Sequence, residues 1–179
     1  MAAVGGPAVT PKNEGLFEKA SGLVLSNKIG GGNTTYRYVP GKKQYVDDFP
    51  SVNFLVRKVI FNAVGGFDTH YWPGEDTKLC LDIVNMGYKL IYDPKVLVYH
   101  HRRKLFLPHL KQITRYATHR GFFVKKFPKT SFRIGYFIPS LFVLFLMFGF
   151  VFSLFNSLIY LGFVSVISLY LILVFLNSL

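Results

Sequence analysis

Residues 134–179, the last forty-six of this 179-residue chain, contain no Asp, Glu, Lys, Arg or His. A soluble domain of this size has no core large enough to hide such a run. Ile134–Phe155 is 22 residues, about 33 Å as a helix, and Leu158–Leu176 is 19, about 28 Å. Either is close to the hydrocarbon thickness of a bilayer. Asn156-Ser157 is the clear polar break between them, so the spacing predicts two transmembrane helices folded as a hairpin.

The charge lies next to this block. Residues 101–133 carry ten Lys/Arg and no acid, whereas residues 1–100 carry eleven Lys/Arg against all nine acids. The net charge of +12 is therefore mostly local to one segment. Basic charge abutting a membrane-grade stretch points to anionic lipid and positive-inside orientation, and nucleic acid is not expected as a partner. Between Lys104 and Phe127, Leu105, Phe106, Leu110, Ile113, Tyr116, Ala117 and Val124 alternate with Lys111, Arg115, Arg120, Lys125 and Lys126. That pattern predicts a basic amphipathic helix in the headgroup plane. Cys80 is the one cysteine, which excludes an internal disulfide and a cysteine-rich zinc site. The start, MAAVGGPAVTP, has neither basic leader nor apolar core, so no signal peptide is expected. The expected location is integral to the inner (cytoplasmic) membrane, with the catalytic part facing the cytosol.

Within 1–100, Gly5, Gly6, Pro7 and Pro11 predict a loop over residues 1–12. Thr10-Pro11 looks like a helix start, with Leu16, Phe17, Ala20, Leu23 and Val24 as its apolar face and Gly30–Gly32 as its end. Residues 30–50 read as a long surface loop. A strand over 52–56, a helix over 57–64 closed by Gly65-Gly66, and a helix from Glu75 to Met86 stopped by Gly87 follow. Tyr88–Tyr92 and Val96–Tyr99 read as strands joined by Asp93-Pro94. Strands alternating with short helices predict an α/β layer.

The densest chemistry lies in GGFDTHYWPGEDTKLCLDIVNMGYKLIYDPKVLVYHHRR, Gly65 to Arg103. Asp76 sits in a first helical turn, where free amides and the macrodipole favour an anion. A carboxylate placed there could take a proton from a hydroxyl, or it could simply cap the helix. The ordered series GGFD, GED, a D-P turn and V-Y-H-H-R-R, with GGP-x-x-TP at Gly5–Pro11 and VNFLVRK at Val52–Lys58, resembles the inverting family 2 glycosyltransferases, especially their membrane-attached bacterial branch.

The resemblance spans about residues 4–135 and implies a role for each matching position. Asp76 would be the general base on the acceptor hydroxyl and Glu75 would position the acceptor. His100 would complete the shell of a divalent cation, Mg²⁺ or Mn²⁺, with His101 as its competitor. Arg102 and Arg103 would face a diphosphate or lipid phosphate. Gln112, Arg115 and Tyr116 match the Q-x-x-R-W motif of processive members, whose Gln and Arg approach the donor diphosphate and whose Trp stacks on acceptor sugar; here Tyr116 replaces that Trp. The implied partners are a nucleotide diphosphate sugar donor, a saccharide or lipid-linked acceptor, and membrane lipids.

The family's donor-binding half, with its D-x-D metal motif, precedes the GGP segment, and this sequence has no counterpart. Asp47-Asp48 lies on the wrong side of GGP, and is expected to cap a loop or to belong to the acceptor-side segment. The fold class implied is α/β, a partial GT-A, Rossmann-like half domain, followed by an amphipathic helix and two transmembrane helices. The divisions are residues 1–100 as the C-terminal half of a catalytic domain, 101–133 as the interfacial segment and 134–179 as the hairpin. On this reading the chain is a fragment that does not turn over alone. The rival is a non-catalytic membrane-anchored module from a truncated transferase.

Overall fold

The computed structural model of the chain describes residues 1–177, and the side chains of these except at 129 and 130. The chain divides into two compact units, residues 1–131 and 132–179.

In the first unit the strands are β1 (Ala3–Gly5), β2 (Ala8–Val9), β3 (Gln44–Val46), β4 (Phe54–Val56), β5 (Leu90–Tyr92) and β6 (Val98–Tyr99). The helices are α1 (Leu16–Ser26), α2 (Lys28–Gly31), α3 (Lys58–Ala63), α4 (Glu75–Asn85), α5 (Leu107–Lys126) and α6 (Pro128–Ser131). One mixed sheet has the order β3-β5-β1-β4. Parallel β1–β5 sets Ala3 beside Leu90 and Gly5 beside Tyr92, while antiparallel β1–β4 sets Ala3 beside Val56. Antiparallel β3–β5 closes one edge, with Gln44 beside Tyr92. A separate parallel pair joins β2 and β6.

The first twelve residues are therefore not a loop. They hold the central strand β1, and the glycines that suggested a loop are there for close packing. A Cβ on Gly5 would lie 2.4 Å from the Phe49 ring, and one on Gly6 would lie 1.6 Å from the Val96 carbonyl oxygen. Nor do β5 and β6 pair across Asp93-Pro94, since each joins a different sheet.

The core gathers Ala2, Ala3, Phe49, Ile60, Leu79, Cys80, Ile83, Leu90 and Tyr92. Helix α4 supplies Leu79, Cys80 and Ile83 to it. Gly65, Gly66 and Gly87 adopt φ of +85°, +76° and +82° where their helices end, the conformation that favours glycine. Helix α1 starts at Leu16, not Thr10, and turns the other way from expectation. Ser21 and Gly22 are buried, and Leu16, Leu23 and Val24 face outward. The reason is local: a Cβ on Gly22 would meet Thr10 Oγ1 at 2.3 Å, and buried Ser21 Oγ hydrogen-bonds His109 Nδ1 at 2.7 Å.

The second unit is a hairpin of α7 (Ile138–Ser153) and α8 (Ser157–Leu176). Asn156 caps α8, its Oδ1 accepting from the Leu158 and Ile159 amides at 2.9 and 3.1 Å. The helices interlock through Phe142–Tyr170 and Phe145–Phe163, with centroids 4.8 and 5.4 Å apart. Helix α8, of 20 residues, is long and apolar enough to cross a membrane. Helix α7 has 16 residues, about 24 Å, because Ile134–Tyr136 forms a 3₁₀ turn and the helix begins around Pro139. Of the two expected spanning helices, one has the required length.

Candidate active site

Helix α4 begins at buried Gly74, where a Cβ would lie 2.8 Å from the Phe123 ring of α5. Glycine lets α5 close on the first turn that carries Glu75 and Asp76. Asp76 Oδ2 accepts from the Ser51 amide at 3.1 Å and Oδ1 from the Thr77 amide at 2.7 Å. Burial raises the pKa of Asp76, the charges of Asp48 and Glu75 push the same way, and the two amides oppose them. Glu75 Oε2 is buried with no hydrogen-bond partner. An acceptor oxygen held dry and unpaired is costly unless something else supplies a donor.

Beside this turn lies Asp48, which the sequence suggested either belongs to the acceptor-side segment or caps a loop. Asp48 is buried, at 7% exposure. Its Oδ2 takes Arg120 Nη2 from α5 at 2.6 Å and Arg37 Nη2 at 3.3 Å, and its Oδ1 accepts from Thr77 Oγ1 of α4 at 3.0 Å. Burial alone would raise its pKa, but the two guanidiniums outweigh that and hold it at about 2. The neighbouring Phe49 amide reaches Cys80 Sγ at 3.4 Å and so pins the segment to α4. A signal existed in the sequence: residues 101–133 hold basic residues and no acid, so an arginine buried there needs a carboxylate from elsewhere.

The end of β6 is built differently. The His100 amide donates to the Val9 carbonyl at 2.9 Å, and His100 Nδ1 stands 3.3 Å from Arg102 Nη1. Burial and the Arg102 charge lower the His100 pKa, which disfavours the charged ring. His101 pairs with Glu14. Arg102 donates to Thr10 Oγ1 at 3.1 Å and to the Ala8 carbonyl, and lies over the Tyr38 ring at 5.1 Å. Arg103 is exposed. Among the described residues no three His, Cys, Asp or Glu side chains form a metal-binding group. A single imidazole beside a guanidinium does not fit a hard divalent cation, which prefers several oxygen ligands.

On α5, Gln112 Nε2 donates to Tyr116 Oη at 3.0 Å. Arg115 lies on another face, where it lines a cleft of about 220 Å³ with Trp72, Pro73, Thr114, Thr118 and His119. The structure thus joins Gln112 to Tyr116 and sets Arg115 apart from that pair. Tyr38, which sequence reasoning passed over, feels the charges of Arg37, Arg102 and Arg120 and lies near Tyr116. Burial raises its pKa. Asp76, Glu75 and Asp48 come together at the start of α4, with Arg120 reaching them from α5.

The sequence matches the family described as glycosyl transferase family group 2 over residues 2–179. It is 28% identical over 85 residues to the probable glycosyltransferase YdaM of Bacillus subtilis (strain 168), covering 48% of this chain and 20% of that protein. It is 40% identical over 57 residues to the pre-mycofactocin glycosyltransferase of Mycobacterium tuberculosis, covering 31% of this chain and 12% of that protein. The matched stretches thus span a fifth or less of these relatives' own length. No solved structure matches the chain.

Proposed function

The chain belongs to glycosyl transferase family group 2, and from that premise we propose that it forms the acceptor side of an inverting transferase. The donor is a nucleotide diphosphate sugar, and the acceptor is a cytosol-facing saccharide or lipid-linked sugar. The observation that carries this reading is the first turn of α4. There a half-buried carboxylate, Asp76, has its pKa raised by desolvation, next to a Glu75 oxygen with no partner. A raised pKa brings a carboxylate closer to the proton affinity a general base needs.

In the proposed step an acceptor hydroxyl oxygen attacks the anomeric carbon. Its proton passes to Asp76, and the bond to the donor phosphate breaks with its electron pair leaving on the nucleotide diphosphate. Glu75 Oε2 accepts from a second acceptor hydroxyl and fixes the angle of approach. Gln112 and Arg115 on α5, with Arg102 and Arg103 beyond β6, form the basic side that meets diphosphate or lipid phosphate. Asp48 stays ionised and ties Arg37 and Arg120 to the base.

Members of this family commonly use a divalent metal. Here His100 offers one imidazole, and a cation would need carboxylates besides it. The hairpin is read as an anchor in the inner (cytoplasmic) membrane, residues 1–133 facing the cytosol. Carbonate extraction and protease access in oriented vesicles test that placement, and release by carbonate overturns it. The reaction is tested by supplying labelled nucleotide sugars to membranes containing the full-length enzyme. Product with the anomeric configuration inverted from the donor is expected, and retention overturns the mechanism.

A further inference from the structure

We infer that the cleft between Trp72 and α5 is a subsite for one pyranose ring, with Trp72 rather than Tyr116 as the stacking face. The inference rests on the acceptor-side reading above and adds where the acceptor sugar lies. Trp72 is the chain's only tryptophan, and it is 65% exposed although it sits two residues before the buried start of α4. An indole left open at the mouth of a cleft is a platform for the C–H face of a sugar, since its large apolar surface gains by being covered.

The walls suit that ligand. Opposite Trp72 and Pro73, the Thr114 and Thr118 hydroxyls donate back to the carbonyls of Leu110 and Thr114 at 2.9 and 3.0 Å, so those hydrogens are not offered to the cleft. At about 220 Å³ the space is smaller than a drug-sized pocket and fits a single ring. His119, which lines the cleft, has a buried Nδ1 with no partner. That imidazole nitrogen requires a donor or an acceptor according to its tautomer. A sugar hydroxyl is both. A ligand with an apolar face and a hydroxyl rim therefore suits the open indole and this nitrogen together.

Tyr116 is otherwise engaged. Its hydroxyl accepts from Gln112, and it lies near Tyr38. Tyr116 is not among the residues that line the cleft.

Because Trp72 is the sole tryptophan, its emission reports the cleft directly and without turnover. The chain is held in a detergent that has no sugar headgroup. It is titrated with methyl β-glucopyranoside, methyl β-galactopyranoside and methyl N-acetyl-β-glucosaminide. A saturable change in emission with at least one of them is expected. Thr118→Phe, at an exposed helix position, fills the cleft and abolishes the change. His119→Ala weakens binding about tenfold, the scale of one lost polar contact. Tyr116→Ala leaves it within about twofold, below the scale of a lost aromatic contact. A flat response to all three sugars overturns the inference, and so does an undiminished response in Thr118→Phe or a lost one in Tyr116→Ala. An emission that stays flat while the orphan atoms hold only water is the first of these results. A saturable response together with transfer that survives Asp76→Asn removes the catalytic reading and spares the cleft. Asp76-dependent transfer with silent Trp72 does the reverse.

Discussion

The start of α4 and the end of β6 look alike in sequence, each a short cluster of ionisable residues at the edge of a regular element. Their structures differ in what has been left unpaired. At β6, the His100 amide, His101, and the Nε and Nη2 of Arg102 are taken by Val9, Glu14, Thr10 and Ala8. At α4, Glu75 Oε2 is dry and unpartnered, and Asp76 is half-buried beside like charge. Native interiors satisfy their polar groups almost everywhere, so the site is marked by the exception and not by the density of charge.

Removing the group that holds the α4 turn together should have the largest effect. Asp48→Asn leaves Arg37 and Arg120 facing a neutral amide where both had an anion. Breaking a buried pair in this way costs about 3–5 kcal/mol. Denaturant unfolding of the first unit, followed by Trp72 emission, should show that loss. A loss below about 1 kcal/mol would mean the pair is no more than a surface contact.

Next in size is the base itself. Asp76→Asn in the full-length enzyme should lower turnover by about 100-fold or more, equivalent to about 2.7 kcal/mol of barrier. Donor KM should change little, since the proton comes from the acceptor. Turnover within a few-fold of the parent would remove Asp76 from the mechanism and direct the same assay to Glu75→Gln.

Acid sharpens the comparison further. Asp48 is held at about 2 against an ordinary 3.8. A depressed carboxyl gives stability that is complete above its unfolded value and is lost as pH falls through its folded one. The window is therefore pH 4 to 2, and the loss is on the order of 2 kcal/mol. Asp76, raised by burial, acts with the opposite sign, because protonating it relieves a buried charge. Unfolding measured from pH 5 to 2 should fall in the parent and be flatter in Asp48→Asn.

These residues also show which parts of the fold could be read from the sequence. Helix α4 was legible because its core face repeats at 79, 80 and 83 and Gly87 stops it, all local signals. Strand β1 was not, since Gly5 and Gly6 signify a loop unless Phe49 and Val96 are known to press against them. The inward face of α1 was hidden for the same reason: Ser21 and Gly22 face inward because of His109 and Thr10, residues distant in the chain. Asp76 and Glu75 could be singled out from their turn. Asp48 acquires its role only when Arg37, Thr77 and Arg120 meet it, from separations of 11 to 72 residues. Period and punctuation report local structure, and partnership across the chain is carried by neither.

The smallest expected effect tests the other half of the comparison. If the end of β6 is held by its backbone and by Arg102, then the His100 ring adds almost nothing to the fold. Its amide bond to Val9 survives truncation, and the ring's recorded polar contact is Arg102, 3.3 Å away. Burial and that guanidinium disfavour the charged ring, and its neighbour is a cation, so truncation removes no attractive ion pair with Arg102. His100→Ala should therefore shift unfolding by less than about 0.5 kcal/mol, the range of an ordinary surface change. A larger loss would make His100 a structural residue and erase the contrast with α4. If transfer by the full-length enzyme falls while stability holds, the imidazole acts on a ligand, which is the role that the resemblance implies for it.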